Sequence, residues 1–269
     1  MVIIKKSEQL MLMRKAGKIT AEALLVARDA TRPGVSTKEV DTKIRNFIEK
    51  CGATPSFLGL YGFPGSACIS INNQVIHGIP SDKVIIKDGD IVKVDVGARY
   101  RGYNGDSART FAVGKVSEEA LRLISVTEQS FYEAMKVAKA GNRIGDIGNA
   151  VESFVISHGF TVVREYTGHG IGAAIHEDPS VPNYGTPGRG PRLYSGMTLA
   201  IEPMVNIGRP NVRVLKDGWT VVTADGSLSA HYENSIAITD GDPILLTDAE
   251  NYNHCIILGG SVLVEERFD

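Results

Sequence analysis

Cysteine is scarce in this chain: Cys51, Cys68 and Cys255 are the three present, and no two form a CxxC pair. An odd, sparse set points to free thiols in a reducing compartment. Long apolar runs are missing too, so no stretch has the length of a membrane span. The Val2-Ile3-Ile4 run is followed by Lys5-Lys6. It is too short for the apolar part of a secretory signal, and its charges lie on the wrong side. An excess of one charge is also absent, with 29 Lys+Arg against 31 Asp+Glu and a formal net charge of -2. Such a balance leaves no basic footprint for a polyanion, so no direct nucleic-acid binding is expected. What remains is 269 residues, 43% of them hydrophobic and 22% charged. A chain of that size buries a core without disulfides or metals, and its composition is that of a soluble cytoplasmic protein.

An internal repeat organises the sequence. The block Gly34 to Ala53 matches Gly141 to Phe160, 107 residues further on. Gly34/Gly141, Phe47/Phe154 and Gly52/Gly159 are identical, and Val40/Ile147, Ile44/Val151 and Ile48/Val155 keep an apolar stripe. That spacing is an amphipathic helix closed by a glycine. Asp88 to Asp95 and Ser195 to Glu202 stand at the same offset, each reading as a turn and a strand ending in an acid. A helical stripe precedes each block: Leu10, Met13, Gly17, Thr20, Leu24 and Ala27 in the first half, and Ile124, Phe131, Met135 and Ala138 in the second. Helices and strands mix without strict alternation. The expected class is α+β, internally duplicated, with helices covering one face of a largely antiparallel sheet. Residues 1–250 are read as one domain with pseudo-two-fold symmetry, and residues 251–269 as a tail of unknown role. Gly259-Gly260 signals an extra hairpin in that tail, unless the segment is foreign to the fold.

Strand periodicity places four acids. Val92, Val94 and Val96 share a face and leave Asp95 on the other. By the same alternation Glu202 lies opposite Leu199 and Ile201, Glu233 opposite Ile236 and Ile238, and Asp106 opposite Phe111 and Val113. Each acid thus has small or polar neighbours on its face, which can line a cavity. Any one of them alone reads as a solvated or paired strand-end acid. Four in one cavity would repel unless cations neutralise them. Carboxylates with imidazole suit Mn, Fe, Co or Zn. His169 and His176 lie in Tyr166-Thr-Gly-His-Gly-Ile-Gly-Ala-Ala-Ile-His-Glu-Asp-Pro179, and His77-Gly78-Ile79 echoes His169-Gly170-Ile171. The glycines beside His169 allow close approach of backbone or ligand. His158 and His254 are read as structural, and His231 as peripheral.

The ordered motifs HGIP from His77, VDVG around Asp95, GDSART around Asp106, TGHGIG, IHEDP, LAIEPM around Glu202 and DGWTVVTADGSLSAHYENSI resemble type I methionine aminopeptidases of the bacterial kind. The likeness runs from about Ser7 to about Leu246. It implies the pita-bread fold and a two-metal site of Asp95, Asp106, His169, Glu202 and Glu233, in which Asp106 and Glu233 bridge both ions. His77 and His176 would contact the substrate amide and the tetrahedral intermediate, and Glu202 would act as general base. Phe57, Phe63, Cys68, Ile175 and Trp219 would wall the side-chain pocket. Tyrosines are frequent in the family where Leu60-Tyr61-Gly62-Phe63 stands, and an aromatic where Ile175 stands, so the pocket differs in shape. Asn72, Gln74 and Ser229 lie where relatives hold a monovalent cation, although surface polar residues are the plainer reading. The implied substrates are N-terminal Met peptides and nascent chains at the ribosome, acted on by a monomer. A proline-specific peptidase and a non-enzymatic relative are the competing readings. The first usually carries an extra N-terminal domain and the second has lost ligands that are present here.

Overall fold

The structure is a computed structural model that describes residues 2–249, together with the backbone of 256–258 and 261–263. Two helices open the chain, α1 (Ser7–Ala30) and α2 (Thr37–Lys50). Five strands follow: β1 (Thr54–Pro55), β2 (Ala67–Ile71), β3 (Gln74–Ile76), β4 (Ile91–Tyr100) and β5 (Tyr103–Ala112). The second half begins with α3 (Glu118–Val137) and α4 (Ile144–Ser157). Then come β6 (Thr161–Val162), β7 (Gly168–Gly170), β8 (Glu177–Val181), β9 (Thr198–Ile201) and β10 (Met204–Asn206). The remaining strands are β11 (Val212–Val214), β12 (Val221–Thr223), β13 (Ser229–His231), β14 (Glu233–Ala237), β15 (Ile244–Leu245), β16 (Ile256–Leu258) and β17 (Ser261–Leu263).

The repeat is structural. Helices α2 and α4 both have 14 residues, and their ends are displaced by the expected 107. Each ends on a left-handed glycine, Gly52 at φ 71° and Gly159 at φ 80°, which supplies the backbone turn that a side chain would strain. Val40, Ile44, Ile48, Ile147, Val151 and Val155 are all fully buried. The stripe of α1 is buried as expected. That of α3 is rotated. Leu123, Thr127, Phe131, Ala134 and Ala138 face the core, while Ile124 and Met135 only flank it.

A nine-stranded sheet runs in the order β1-β4-β5-β14-β9-β7-β8, with β2 also on β4 and β15 also on β14. Every pairing within it is antiparallel. Its bulky face is covered by helices. Val92, Val94 and Val96 pack with residues of α1 and α2, and Leu199, Ile201, Ile236 and Ile238 pack with those of α3 and α4. Strand β1 pairs Pro55 with Ala98 on β4, and β6 pairs Val162 with Val205 on β10 at the same offset. The unbroken β4 therefore corresponds to β9 plus β10. The break falls at Glu202-Pro203, where proline has no N–H to give a ladder. At Gly17 and Gly105, α1 lies directly on β5. A Cβ on Gly105 would come 2.6 Å from the Cα of Gly17, and this contact seats the residue before Asp106 against the helix. In the tail, β16 and β17 pair as a hairpin, as the glycine signal suggested. Gly259, Gly260 and the other tail residues lie outside the described residues.

Candidate active site

The acids converge as the alternation required. Across the sheet, Cys68 pairs with Asp95, Asp95 with Ala108, and Ala108 with Glu233. Residues so aligned share a face, and Asp106 joins them two residues before Ala108. Glu202 follows the last paired residue of β9. Asp106, His169 and Glu233 bring one ligand atom each within 4.8 Å of one another. His169 Nε2 lies 3.7 Å from Asp106 Oδ2 and 3.7 Å from Glu202 Oε1. The carboxyls of Asp95 and Asp106 approach closely enough to share a hydrogen bond.

The electrostatics are those of a cation site. Burial holds the Asp95 carboxyl up at about 7. Burial and mutual repulsion hold Asp106, Glu202 and Glu233 well above the carboxylate range. Burial, with His176 nearby, lowers His169 to about 4. Its Nδ1 sits 2.9 Å from the carbonyl of Gly170. A carbonyl only accepts, so Nδ1 carries the proton and Nε2 presents a bare lone pair to the carboxylates. Asp95 Oδ1 and Asp106 Oδ1 are buried without a hydrogen-bond partner. Orphaned acceptors around one point fit a divalent ion, and a histidine anchored through its other nitrogen is the usual metal ligand. The flanking glycines serve backbone approach. A Cβ on Gly168 would lie 2.3 Å from Ala200 O, and one on Gly170 2.2 Å from Asp178 O.

A cavity of about 390 Å³ joins these acids to the apolar walls Phe57, Phe63, Cys68 and Trp219. Phe63 meets Trp219 edge to face at 5.1 Å. His77 and His176 line the same cavity. His77 holds a left-handed backbone at φ 58°, and its ring packs edge-on against Tyr166 at 5.8 Å. Burial and the neighbouring His176 lower His77 to about 4, and burial lowers His176. The two histidines are counterparts across the pseudo-two-fold. Ser70 pairs with Lys93 as His169 pairs with Ala200, and the same seven-residue step leads from Ser70 to His77 and from His169 to His176. The echo of His77-Gly78-Ile79 in His169-Gly170-Ile171 is thus a coincidence of sequence, since Ser70 holds the place of His169.

Ile175 stands apart from the expected pocket walls. It belongs to the apolar cluster of Phe57, Phe63 and Cys68. It backs that wall rather than lining the cavity, and borders an adjoining cavity of about 530 Å³. The sequence reading missed Tyr166, Thr167, Leu60, Tyr61 and Ile76, which also line the site. Leu60, Tyr61, Tyr166 and Thr167 stand in the quoted motifs, whereas Ile76 has no signal of its own. Lys5 was read only against a signal peptide. Its buried ammonium pairs with Glu177, next to His176. His158 is structural as expected, capping α4 with Nδ1 2.8 Å from Phe154 O. His254 lies outside the described residues.

The monovalent-cation position is otherwise engaged. Asn72 O accepts from Lys93 Nζ at 2.6 Å and from Ser229 N at 3.2 Å. Gln74 Oε1 accepts from Ile71 N, and Ser229 is fully buried rather than on the surface.

The model of metallopeptidase family M24 matches residues 11–240. A methionine aminopeptidase of Clostridium perfringens is 56% identical over 247 residues, covering 92% of this chain and 99% of that one. The chain belongs to the methionine aminopeptidases of metallopeptidase family M24. The crystal structure of the methionine aminopeptidase from Thermotoga maritima superposes with a TM-score of 0.91 at 45% identity, covering 92% of this chain and 99% of that one. A prolidase from Pyrococcus horikoshii shares the pita-bread fold at TM-score 0.74 and 26% identity, and here the match spans 92% of this chain but only 64% of the prolidase. The methionine aminopeptidases are therefore matched along nearly their whole length, while the proline-specific fold relative carries a large further portion. Among the described residues no helix is long and apolar enough to cross a membrane.

Proposed function

We propose that the chain removes the N-terminal methionine from peptides and nascent proteins whose second residue is small, acting as a monomer in the cytoplasm. One observation supports this best. The apolar walls Phe57, Phe63, Cys68 and Trp219 and the acid–histidine cluster share a single cavity. A methionine side chain among those walls gains apolar burial and sulfur–aromatic contacts, and its amine and first carbonyl then lie beside the acids.

Two divalent ions held by Asp95, Asp106, His169, Glu202 and Glu233 would supply Lewis acidity and a bound water that ionises near neutral pH. The protein's own groups do the rest. Glu202 takes a proton from the attacking water and returns it to the leaving nitrogen as the C–N bond breaks. The neutral ring of His77 donates a hydrogen bond to the scissile amide nitrogen's side of the substrate, and His176 donates to the oxygen that becomes negative. Such donors act where charge develops, in a cavity that excludes bulk water. The free N-terminal amine would be held where Asp95, Asp106, Glu202 and Glu233 carry the metal pair, which restricts the activity to chain ends.

The test combines metal content with hydrolysis of Met-Ala-Ser and of an X-Pro peptide. Metal-stripped protein should be inactive, and Mn or Co should restore cleavage of Met-Ala-Ser. Preferential cleavage of X-Pro would refute the assignment.

A further inference from the structure

We propose that His231 is a positioning residue for Glu202, holding one carboxylate oxygen so that the other faces His169 and the metal site. The inference rests on the proposed function, in which Glu202 is ligand and base. His231 ends β13 and is only 1% exposed. Its backbone is clipped on both sides by one hydroxyl. His231 N donates to Thr110 Oγ1 at 2.9 Å, and that hydroxyl donates to His231 O at 2.8 Å. The ring therefore projects from a fixed place. Neither Nδ1 nor Nε2 has a hydrogen-bond partner. In any protonation state the ring has at least one N–H to satisfy, and a buried orphan donor is costly.

Glu202 Oε2 lies 3.7 Å from His231 Nε2, and Glu202 Oε1 lies 3.7 Å from His169 Nε2. The carboxylate thus stands between two imidazoles, one oxygen toward each. The gap to His231 is longer than a hydrogen bond. A small rotation of the carboxylate closes it, and contacts of this kind tighten when a site is loaded. His231 does not line the cavity, so it reaches the substrate only through Glu202. Asn183 Nδ2 donates to the backbone carbonyl of Glu202 at 2.9 Å. Main chain and side chain of this residue are then each held by a separate donor. A hydrogen bond on Oε2 would fix the rotamer of Glu202 and leave Oε1 for the cation side, as outer partners of metal-bound carboxylates do.

The experiment compares the full-length wild type with H231L, which removes the donors, and H231Q, which keeps an N–H. Mn²⁺ affinity is read by calorimetry on metal-stripped protein, and kcat and KM are read on Met-Ala-Ser at saturating Mn²⁺. H231L should bind Mn²⁺ about 10–100-fold more weakly and lose kcat by a similar factor, with KM little changed. H231Q should recover most of both. Wild-type Mn²⁺ affinity and kcat in H231L would overturn the proposal. So would a loss that H231Q does not repair, or a change confined to the preference between Met-Ala-Ser and Met-Val-Ser, which would make His231 a substrate contact. If H231L does not fold, the imidazole N–H resonance of His231 in the wild type decides. It should shift in E202Q, and an unmoved resonance would overturn the proposal. A wild type that binds Mn²⁺ but does not cleave Met-Ala-Ser would sink the functional reading, while the affinity arm would still test His231.

Discussion

His169 Nε2 faces Asp106 Oδ2 at 3.7 Å, and both atoms are acceptors. The imidazole proton is spent on Gly170 O, so nothing on the protein bridges the pair when Asp106 is ionised. Two lone-pair donors facing each other across a buried gap repel until a proton or a cation enters. Asp106 is also the acid whose strand, β5, bonds to both halves, through β4 on one side and β14 on the other. It therefore sits where either half can share its ligand.

From this comes the first prediction. Asp106→Ala should abolish turnover on Met-Ala-Ser and lose the capacity to bind two Mn²⁺. It should still fold, because the change removes one of four crowded acids. Mn²⁺ should raise the thermal midpoint of the wild type and leave that of the variant nearly unmoved. Wild-type-like turnover at saturating Mn or Co would show that the site is assigned wrongly.

A second prediction concerns His77, whose ring is in the cavity but outside the acid cluster. His77→Ala should keep metal binding and lower kcat and kcat/KM together, the pattern for an interaction made mainly in the transition state. Loss of one such donor costs about 10²–10³-fold. Loss of bound metal from this variant would make His77 a ligand instead.

The acids and the buried histidines pull metal-free stability in opposite directions. Asp95, at about 7, and the other three acids bind protons more tightly folded than unfolded. Their contribution is complete below the unfolded carboxylate range, about 4, and is lost as pH rises through the folded values. His77 and His169, at about 4, and His231, at about 3, behave inversely. Their contribution is present above the unfolded value of about 6.5 and is lost as pH falls. Between about pH 4 and 6.5 the two sets oppose each other, and above it the four acids are opposed by Lys93, whose ammonium burial holds well below its ordinary range. Thermal melts of chelator-treated protein should therefore show a midpoint that falls as pH rises from neutral, with added Mn²⁺ reversing the fall. A midpoint that is flat or rising over that range would show that the acids are not buried together.

Much of this was legible in the sequence because periodicity is local. The 107-residue repeat fixed α2 against α4, and alternation put Asp95, Asp106, Glu202 and Glu233 on one face before any pairing was known. What escaped depends on register and packing. Ile124 and Met135 look as apolar as Leu123 and Phe131, and only the packing of α3 decides which are buried. The seven-residue step from Ser70 to His77 is hidden, because Ser70 and His169 are different residue types in equivalent places. His231 reads as peripheral in the sequence but is buried beside Glu202, because an unpartnered ring nitrogen is a property of its surroundings.

Lys93 makes a further expectation possible. Both lone pairs of Asn72 O are used, one by Lys93 Nζ and one by Ser229 N, so this carbonyl has none left for a monovalent ion. Activity and thermal midpoint should not change among Na⁺, K⁺ and choline salts at equal ionic strength. Lys93→Ser frees one lone pair and should make the midpoint rise with Na⁺ or K⁺. Activation of the wild type by either ion would refute this account.

The last prediction is specificity, which the cavity walls govern. Phe57, Phe63, Cys68 and Trp219 present apolar and polarizable surface to the cavity that the acids also line. A thioether gains contacts with the aromatic walls, whereas a lysine side chain in the same place would lose its hydration without a partner. Shape discriminates less than charge. Norleucine differs from methionine by about one methylene-sized group, worth only about 1–3 kcal/mol, so norleucine peptides should be cleaved at a reduced but measurable rate. In the proposed binding mode the second residue would lie beside His77, which Tyr166 and Trp219 flank, and that crowding would favour a small side chain. In a peptide panel Met-Ala, Met-Gly and Met-Ser should be good substrates, and Leu-Ala and Met-Lys poor ones. Equal kcat/KM for Lys-Ala and Met-Ala would mean that the apolar wall of the cavity does not receive the first side chain.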